Sequence, residues 1–219
     1  MMKTIYRLEK EKSQLIENFS YQKVEYIQSS GTQYIDTLFA DPNGIRVCYK
    51  AMWLDDDGGP IIGSINEKEP YGRNMAYWTR NQFEFGYGET YEKFGNGGPN
   101  IEYDVDFKTT KTEAYFRVKG GIYKEWETLI KTSGEKISEN NNLIFTNQWA
   151  KLQSFYFKAK LYYVRIFDSK DILVRDFFPA IRYSDKKVGL YDLVTKKFYV
   201  NNGKENLIAG PEILITELK

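Results

Sequence analysis

The feature that most constrains the fold is the series of short apolar runs that begins at Tyr21. Aromatic and β-branched residues occupy each run, and clusters of Gly, Asn, Asp and Pro separate one run from the next. Representative runs are "GIRVCYKAMW", "EAYFRVKG", "LYYVRIFD" and "KFYVN". Runs of this length and composition predict β-strands, and their close spacing predicts an all-β sandwich or barrel. No alternation of strands with helices, as a parallel sheet requires, follows residue 21.

Alternation within the runs predicts which residues face the core. In "EAYFRVKG", Ala114, Phe116 and Val118 fall on one face of a strand and their neighbours on the other. In "SFYFKAKLYYVRIF" the apolar set shifts by one residue after Leu161. That change of phase predicts a β-bulge, a switch between sheets or a strand buried on both faces.

Composition excludes several classes of function. The chain has 219 residues, of which 42% are hydrophobic, and this length suits one large β domain. The net charge of +1 predicts neither a nucleic-acid nor a membrane partner. Histidine is absent, which removes His-dependent triads, His metal ligands and a His pH switch. The single cysteine, Cys48, lies in a predicted strand and is interpreted as a structural thiol.

The N-terminal segment, residues 1–20, has a different pattern. It lacks Gly and Pro and is rich in good helix formers. Its apolar residues follow a heptad-like spacing, at Ile5, Leu8, Leu15 and Phe19. Since so short a helix is marginal alone, it is predicted to dock on an assembly or to form an oligomer. Packing on its own domain and a frayed end are the alternatives. Residues 21–219 are assigned to the β-sandwich.

Stretches near both ends of the domain carry a resemblance to a known family. "YQKVEYIQSSGTQYIDT" (21–37) resembles the opening segment of laminin-G-like, concanavalin A-like domains of phage tail and virion proteins and of gut-bacterial surface proteins. "AKLYYVRIFDSKDILVRDFFPAIR" (159–182) and "VGLYDLVTKKFYVNNG" (188–203) resemble the C-terminal strands of that group. Leu38 stands where the family has Gly. The resemblance implies a two-sheet antiparallel jelly-roll sandwich with a glycan- or surface-binding role.

The candidate catalytic motif is "IEYDVDF" (101–107). Glu102, Asp104 and Asp106 alternate with apolar residues, so a strand places all three carboxylates on one face. The motif resembles the E-x-D-x-E strand of one concanavalin A-like glycosidase family, with Asp106 in the place of the acid/base Glu. Retaining glycosidases need two carboxyl groups about 5–5.5 Å apart. A solvated outer face is the alternative, and we favour it.

Two further sets of residues are binding candidates. Asp55 and Asp57 of "DDDGG" could bind calcium, but the spacing does not fit an EF-hand, so a solvated turn is favoured and no cofactor is predicted. Aromatic rings in or near irregular segments are predicted sugar contacts, with core or rim packing as the alternative. They are Trp78, Tyr87, Tyr91, Trp126 and Trp149.

Together these observations predict a non-enzymatic phage structural or receptor-binding component that binds a host surface glycan. We expect a homo-oligomer docked through its N-terminal helix and located on a virion or cell surface. The start of the chain has no signal-peptide pattern and the sequence no transmembrane run, so synthesis in the cytoplasm is expected. The alternatives are a bacterial surface glycan-binding module, a glycoside hydrolase using Glu102, Asp104 or Asp106, and a purely structural decoration protein.

Overall fold

A computed structural model describes residues 20–66, 72–79, 82–131, 136–147 and 156–213, with 76–79 described by their backbone alone. These residues form strands and connecting turns. The strands are β1 (Tyr21–Lys23), β2 (Ile27–Ser30), β3 (Ile35–Asp36), β4 (Gly44–Trp53), β5 (Gly59–Ile65), β6 (Arg73–Thr79), β7 (Gln82–Gly88), β8 (Thr90–Phe94), β9 (Glu102–Thr110), β10 (Ala114–Gly120), β11 (Tyr123–Lys131), β12 (Leu143–Ile144), β13 (Lys158–Asp168), β14 (Leu173–Arg182), β15 (Val188–Asp192), β16 (Lys197–Val200) and β17 (Ile208–Ala209).

The strands form two antiparallel sheets. The large sheet has the order β11-β10-β9-β4-β13-β14-β15-β16, with β1 beside β14, β2 beside β13 and β17 beside β2. The small sheet has the order β3-β12-β5-β6-β7-β8. The pairings within both sheets are antiparallel. The predicted all-β, two-sheet antiparallel sandwich is therefore confirmed.

An aromatic core joins the two sheets. Trp53 and Tyr103 of the large sheet contact Phe83 of the small sheet, with ring centroids 6.0 Å and 5.1 Å away. The Trp53 indole N–H donates a hydrogen bond to the Gly59 carbonyl at 2.7 Å, which satisfies the polar atom of this buried ring. Edge-to-face contacts such as Phe83–Tyr103 contribute about 0.5–1.5 kcal/mol beyond area burial.

Two local predictions are confirmed. Ala114, Phe116 and Val118 are fully buried, as their alternation in β10 requires. The pairing of β13 with β4 shifts register between Leu161 and Tyr163. The change of hydrophobic phase in β13 therefore marks a β-bulge, which turns the apolar side chains on both sides of it toward the same core.

The "SSGT" turn does not close a hairpin. β2 belongs to the large sheet and β3 to the small sheet, so the turn carries the chain from one sheet to the other. The buried Gln33 side chain organises it: its carbonyl oxygen accepts from the Ser30 and Thr32 amides at 2.8 and 3.2 Å. Its amide donates at 3.1 Å to the carbonyl of Asn206. The Tyr34 amide also donates to the Asn201 side chain at 2.9 Å, so the N-terminal stretch 21–37 contacts the C-terminal stretch 188–203 directly.

Leu38 adopts the left-handed backbone conformation that the family's Gly would adopt easily, with φ of +51°. Its amide donates to the Asp36 carboxylate at 2.8 Å, and its carbonyl accepts from Arg175 at 3.0 Å. The side chain is exposed. Leu38 therefore holds the turn after Thr37 in a φ that is strained for a residue with a Cβ.

The predicted N-terminal helix, with Ile5, Leu8, Leu15 and Phe19, lies outside the described residues and stays a prediction. Within the described part of the chain, no helix has the length and apolar character needed to cross a membrane.

Candidate functional site

The outer face of the large sheet carries a dense group of polar and aromatic side chains. It begins with β9, where Tyr103, Val105 and Phe107 are buried against the small sheet. The alternate residues, among them Asp104 and Asp106, therefore point outward, as the sequence pattern predicts. We call the outward side chains of β4, β9, β10, β11 and β13 the polar face.

Asp106 is the centre of the polar face. Arg46 donates two hydrogen bonds to its carboxylate, each of 2.9 Å. The Tyr115 hydroxyl donates at 3.2 Å and Arg117 contacts it at 3.5 Å. Hydrogen bonding to Asp106 raises the pKa of Arg46. Two cations and a hydroxyl thus surround one nearly buried carboxylate, so this charge is fully compensated.

The other two carboxylates also have close partners. Lys50 lies 2.5 Å from the Glu102 carboxylate, and this hydrogen bond lowers the pKa of Glu102, with the Tyr162 hydroxyl assisting. Asp104 accepts a hydrogen bond of 3.1 Å from the Tyr163 hydroxyl. A glycosidase acid needs a carboxyl group whose pKa is raised. The pKa of Glu102 is shifted in the opposite direction, and the three carboxylates belong to a network of ion pairs and hydroxyl contacts.

Cys48 lies between these groups, opposite Asp106 in the pairing of β4 with β9. Burial and then the charge of Asp106 raise the pKa of its thiol to about 12. The thiol is therefore protonated at neutral pH and is a poor nucleophile. This agrees with its interpretation as a structural residue.

Trp126 supplies an exposed aromatic surface at the margin of the polar face. It lies on β11 with 41% of its surface exposed. The Arg117 guanidinium lies 5.6 Å from the Trp126 ring centroid and 5.9 Å from that of Tyr115. Arg117 thereby connects the indole to Tyr115 and Asp106. We call Trp126, Arg117, Tyr115 and Asp106 the Trp126 platform.

Tyr87 and Tyr91, two of the other predicted ligand contacts, lie on the small sheet. Tyr91, on β8, is 59% exposed but belongs to the small sheet. Tyr87 is buried, stacks on Phe85 and donates from its hydroxyl to Glu92 at 3.1 Å. Trp78 belongs to β6, and Trp149 lies outside the described residues. Among the candidates whose side chains are described, the structure therefore does not bring Tyr87 and Tyr91 together with Trp126.

The calcium candidates, Asp55 and Asp57, belong to no metal-binding cluster of described residues. Asp55 forms an ion pair of 3.2 Å with Lys158, where a cation site would need further oxygen ligands. No group of three or more His, Cys, Asp or Glu side chains with metal-binding geometry occurs in the part of the chain that the structure describes, Asp57 included.

A polar groove of about 590 Å³ lies between the 185–188 turn and residues 200–207. One of its carboxylates, Asp185, is held by Arg182 at 2.6 and 2.9 Å. The described residues that line the groove include no aromatic ring. The groove offers hydrogen bonds without a stacking surface, so the Trp126 platform is the better candidate for a sugar.

Sequence reasoning named Trp126 as a candidate ligand contact and Asp106 as a candidate catalytic residue, and it did not single out Arg117, Tyr115 or Arg46. The alternation of "EAYFRVKG" already places Tyr115 and Arg117 outward. This alternation does not reveal which strands are neighbours in the sheet. Only the pairing of β10 with both β9 and β11 brings Arg117 between Asp106 and Trp126.

No protein-family model and no curated relative matches the chain. Among solved structures it is similar to a "putative carbohydrate binding protein" from Bacteroides ovatus ATCC 8483, at 12% identity and a TM-score of 0.50, covering 88% of this chain and 62% of that one. It is also similar to the heptameric SAP-like pentraxin of Limulus polyphemus, at 10% identity and a TM-score of 0.43, covering 87% and 94%. A third similarity is to Trypanosoma rangeli sialidase, at 10% identity and a TM-score of 0.41.

The chain spans 62% of the length of the Bacteroides protein and 20% of that of the sialidase, with 56% of its own length matched to the latter. At 12% identity, the similarity to the Bacteroides protein shows a shared sandwich fold alone.

Proposed function

We propose that this domain is a non-enzymatic glycan-binding β-sandwich whose ligand lies on the Trp126 platform. The observation that carries the proposal is the exposed Trp126 ring beside the Arg117 guanidinium. Sugars present an apolar C–H face and a rim of hydroxyl groups. An indole beside a group with several N–H donors complements both parts of such a ligand.

The platform is held rigidly, which favours binding. Arg117 is positioned by Asp106 at 3.5 Å, and Asp106 is itself fixed by Arg46. The side chains stand on three neighbouring strands, β9, β10 and β11, that are hydrogen-bonded along most of their length. A site whose side chains are ordered before binding loses less conformational entropy when the ligand arrives.

The non-enzymatic part of the proposal rests on the carboxylates. Lys50 stabilises the ionised form of Glu102 and lowers its pKa, whereas a proton donor to a leaving group needs a raised pKa. Asp106 is occupied by two hydrogen bonds from Arg46. We therefore assign these residues to positioning and to hydrogen bonding.

The biological setting is the part that rests on the sequence resemblance. The two motifs at residues 21–37 and 159–203 are similar to those of phage virion and gut-bacterial surface proteins. We propose a virion or cell-surface component whose partner is a host surface glycan. The Bacteroides ovatus protein with a similar fold, described as a "putative carbohydrate binding protein", is compatible with that ligand class.

A glycan array probed with the full chain tests the proposal. We expect binding to one class of glycan, and at least a tenfold loss of affinity for Trp126→Ala, since truncating a central Trp of a binding site costs about 2 kcal/mol or more. Tyr183→Ala is the matched control, because Tyr183 is also an exposed aromatic residue but lies after β14. Loss of binding in Tyr91→Ala instead would move the site to the small sheet. An array without any binder above background would favour a purely structural role.

A further inference from the structure

The large sheet ends in a long edge strand that carries exposed apolar residues. β11 has nine residues and, among the described residues, pairs only with β10. Ile130 is 75% exposed and lies on the same face as Trp126. The backbone groups on the free side of such a strand are available to pair with another strand.

The charges of β11 complement those of a second, antiparallel copy of the same strand. Residues that lie directly opposite each other in a sheet point to the same face. In β11 the even-numbered residues occupy one face and the odd-numbered residues the other, so an allowed register pairs even positions with even ones and odd with odd. A two-fold axis through Thr128 pairs Glu125 with Lys131 and Trp126 with Ile130. This register therefore forms two ion pairs and two apolar pairs, because a two-fold axis repeats each contact.

The neighbouring registers are less favourable. An axis through Glu127 places that carboxylate opposite its own copy, and an axis through Trp126 places Glu125 opposite Glu127. Like charges directly opposite each other destabilise a sheet. An axis through Leu129 keeps a Glu127–Lys131 pair but moves Trp126 beyond the end of β11 in the partner. The charges thus oppose the registers with axes at Trp126 and Glu127, and the pairing of Trp126 with Ile130 favours the axis at Thr128 over the axis at Leu129.

We propose that two copies of this chain associate by antiparallel pairing of β11, with the two-fold axis at Thr128. The Glu125 side chain is almost fully exposed, and its nearest cation, Lys119, is 4.0 Å away. Lys131 lies 2.5 Å from Glu92 of its own chain, and its ammonium has three N–H donors, so it also has a donor for Glu125 of the second copy. The pairing joins two large sheets and leaves both Trp126 platforms on one continuous face.

Charge reversal tests the register. Sedimentation equilibrium of the full chain is expected to give a dimer, and Glu125→Lys is expected to raise its dissociation constant about tenfold or more. The double variant Glu125→Lys with Lys131→Glu restores the opposite charges and is expected to restore the dimer. Equal association of the wild type and Glu125→Lys would overturn the proposal, as would a wild-type chain that stays monomeric at its highest soluble concentration.

Disulfide formation tests the axis independently. Thr128→Cys places two thiols opposite each other and is expected to give a covalent dimer on mild oxidation. Lys124→Cys is the matched control, because this position on the same strand lies far from its own copy in the proposed register. Equal cross-linking of the two variants would contradict the axis.

The Glu125→Lys variant leaves the Trp126 platform intact. The affinity of this variant for a monovalent glycan is therefore expected to equal that of the wild type, which separates the test of the dimer from the test of the proposed function.

Discussion

Arg46 and Asp106, from the adjacent strands β4 and β9, are joined by two parallel hydrogen bonds of 2.9 Å each. Guanidinium and carboxylate groups are both planar, and two parallel hydrogen bonds between them form the bidentate geometry that is among the strongest for this pair. Asp106 also positions Arg117, so the same carboxylate links the stability of the sheet to the geometry of the Trp126 platform.

Asp106→Ala is expected to lower the free energy of unfolding by about 2–3 kcal/mol, because it leaves the partly buried Arg46 without its carboxylate. Urea denaturation measures the change. Asp185→Ala, which removes an exposed partner of Arg182, is the control and should have a much smaller effect. Equal losses in the two variants would show that Asp106 has no special structural role.

Gln33→Ala is expected to cost about 2–4 kcal/mol, since it removes buried hydrogen bonds to the Ser30 amide and to the Asn206 carbonyl. Gln33→Glu keeps the shape but places a carboxylate oxygen where the amide donates to Asn206, so it should also destabilise. Thermal unfolding compares the two. Wild-type stability in Gln33→Glu would contradict the bridging role of this side chain.

Leu38→Gly is expected to raise stability by about 0.5–1 kcal/mol. The φ of +51° is strained for leucine, and the exposed side chain loses little packing when removed. Leu38→Ala keeps a Cβ and hence the strain, so it should leave stability nearly unchanged. A less stable glycine variant would show that the leucine side chain has a stabilising contact.

The pKa of Glu102 is expected to lie below its ordinary value of 4.5, because Lys50 bonds to the ionised form. A folded-state pKa below the unfolded one means that this pair stabilises the protein above pH 4.5 and that its contribution is lost as the pH falls through the folded pKa. Carboxyl-detected NMR measures it, and Lys50→Met should raise it. A wild-type value above 4.5 would support the glycoside hydrolase alternative.

Much of the fold follows from local patterns in the sequence. The alternation around Phe116 predicts its burial, and the phase change after Leu161 predicts an irregularity in β13, which proves to be a β-bulge, one of the three interpretations that the pattern allows. Both features depend on which face of a single strand is apolar, and residues close together in the sequence determine that face. The two ends of the domain were likewise indicated by motifs that prove to touch, through the hydrogen bond from the Tyr34 amide to the Asn201 side chain.

The residues of the candidate site are brought together by the pairing of distant strands, which no local pattern in the sequence reveals. Tyr87 and Tyr91 are four positions apart, yet the hairpin turn between β7 and β8 directs Tyr87 inward and Tyr91 outward. The exposure of Trp126 follows from the position of β11 at the edge of the sheet, which is set by long-range strand order. An ordering of strands that brings residues distant in sequence together cannot be deduced from the spacing of apolar runs.

Tryptophan indole N–H signals in NMR test the central claim most directly. The chain has four tryptophans, and buried Trp53, bonded to the Gly59 carbonyl, is an internal control. During titration with the best oligosaccharide from the array, we predict a saturable shift of the Trp126 signal, identified by its loss in Trp126→Phe, and an unmoved Trp53 signal. Saturable glycan binding that leaves the Trp126 signal in place would contradict the platform as the binding site.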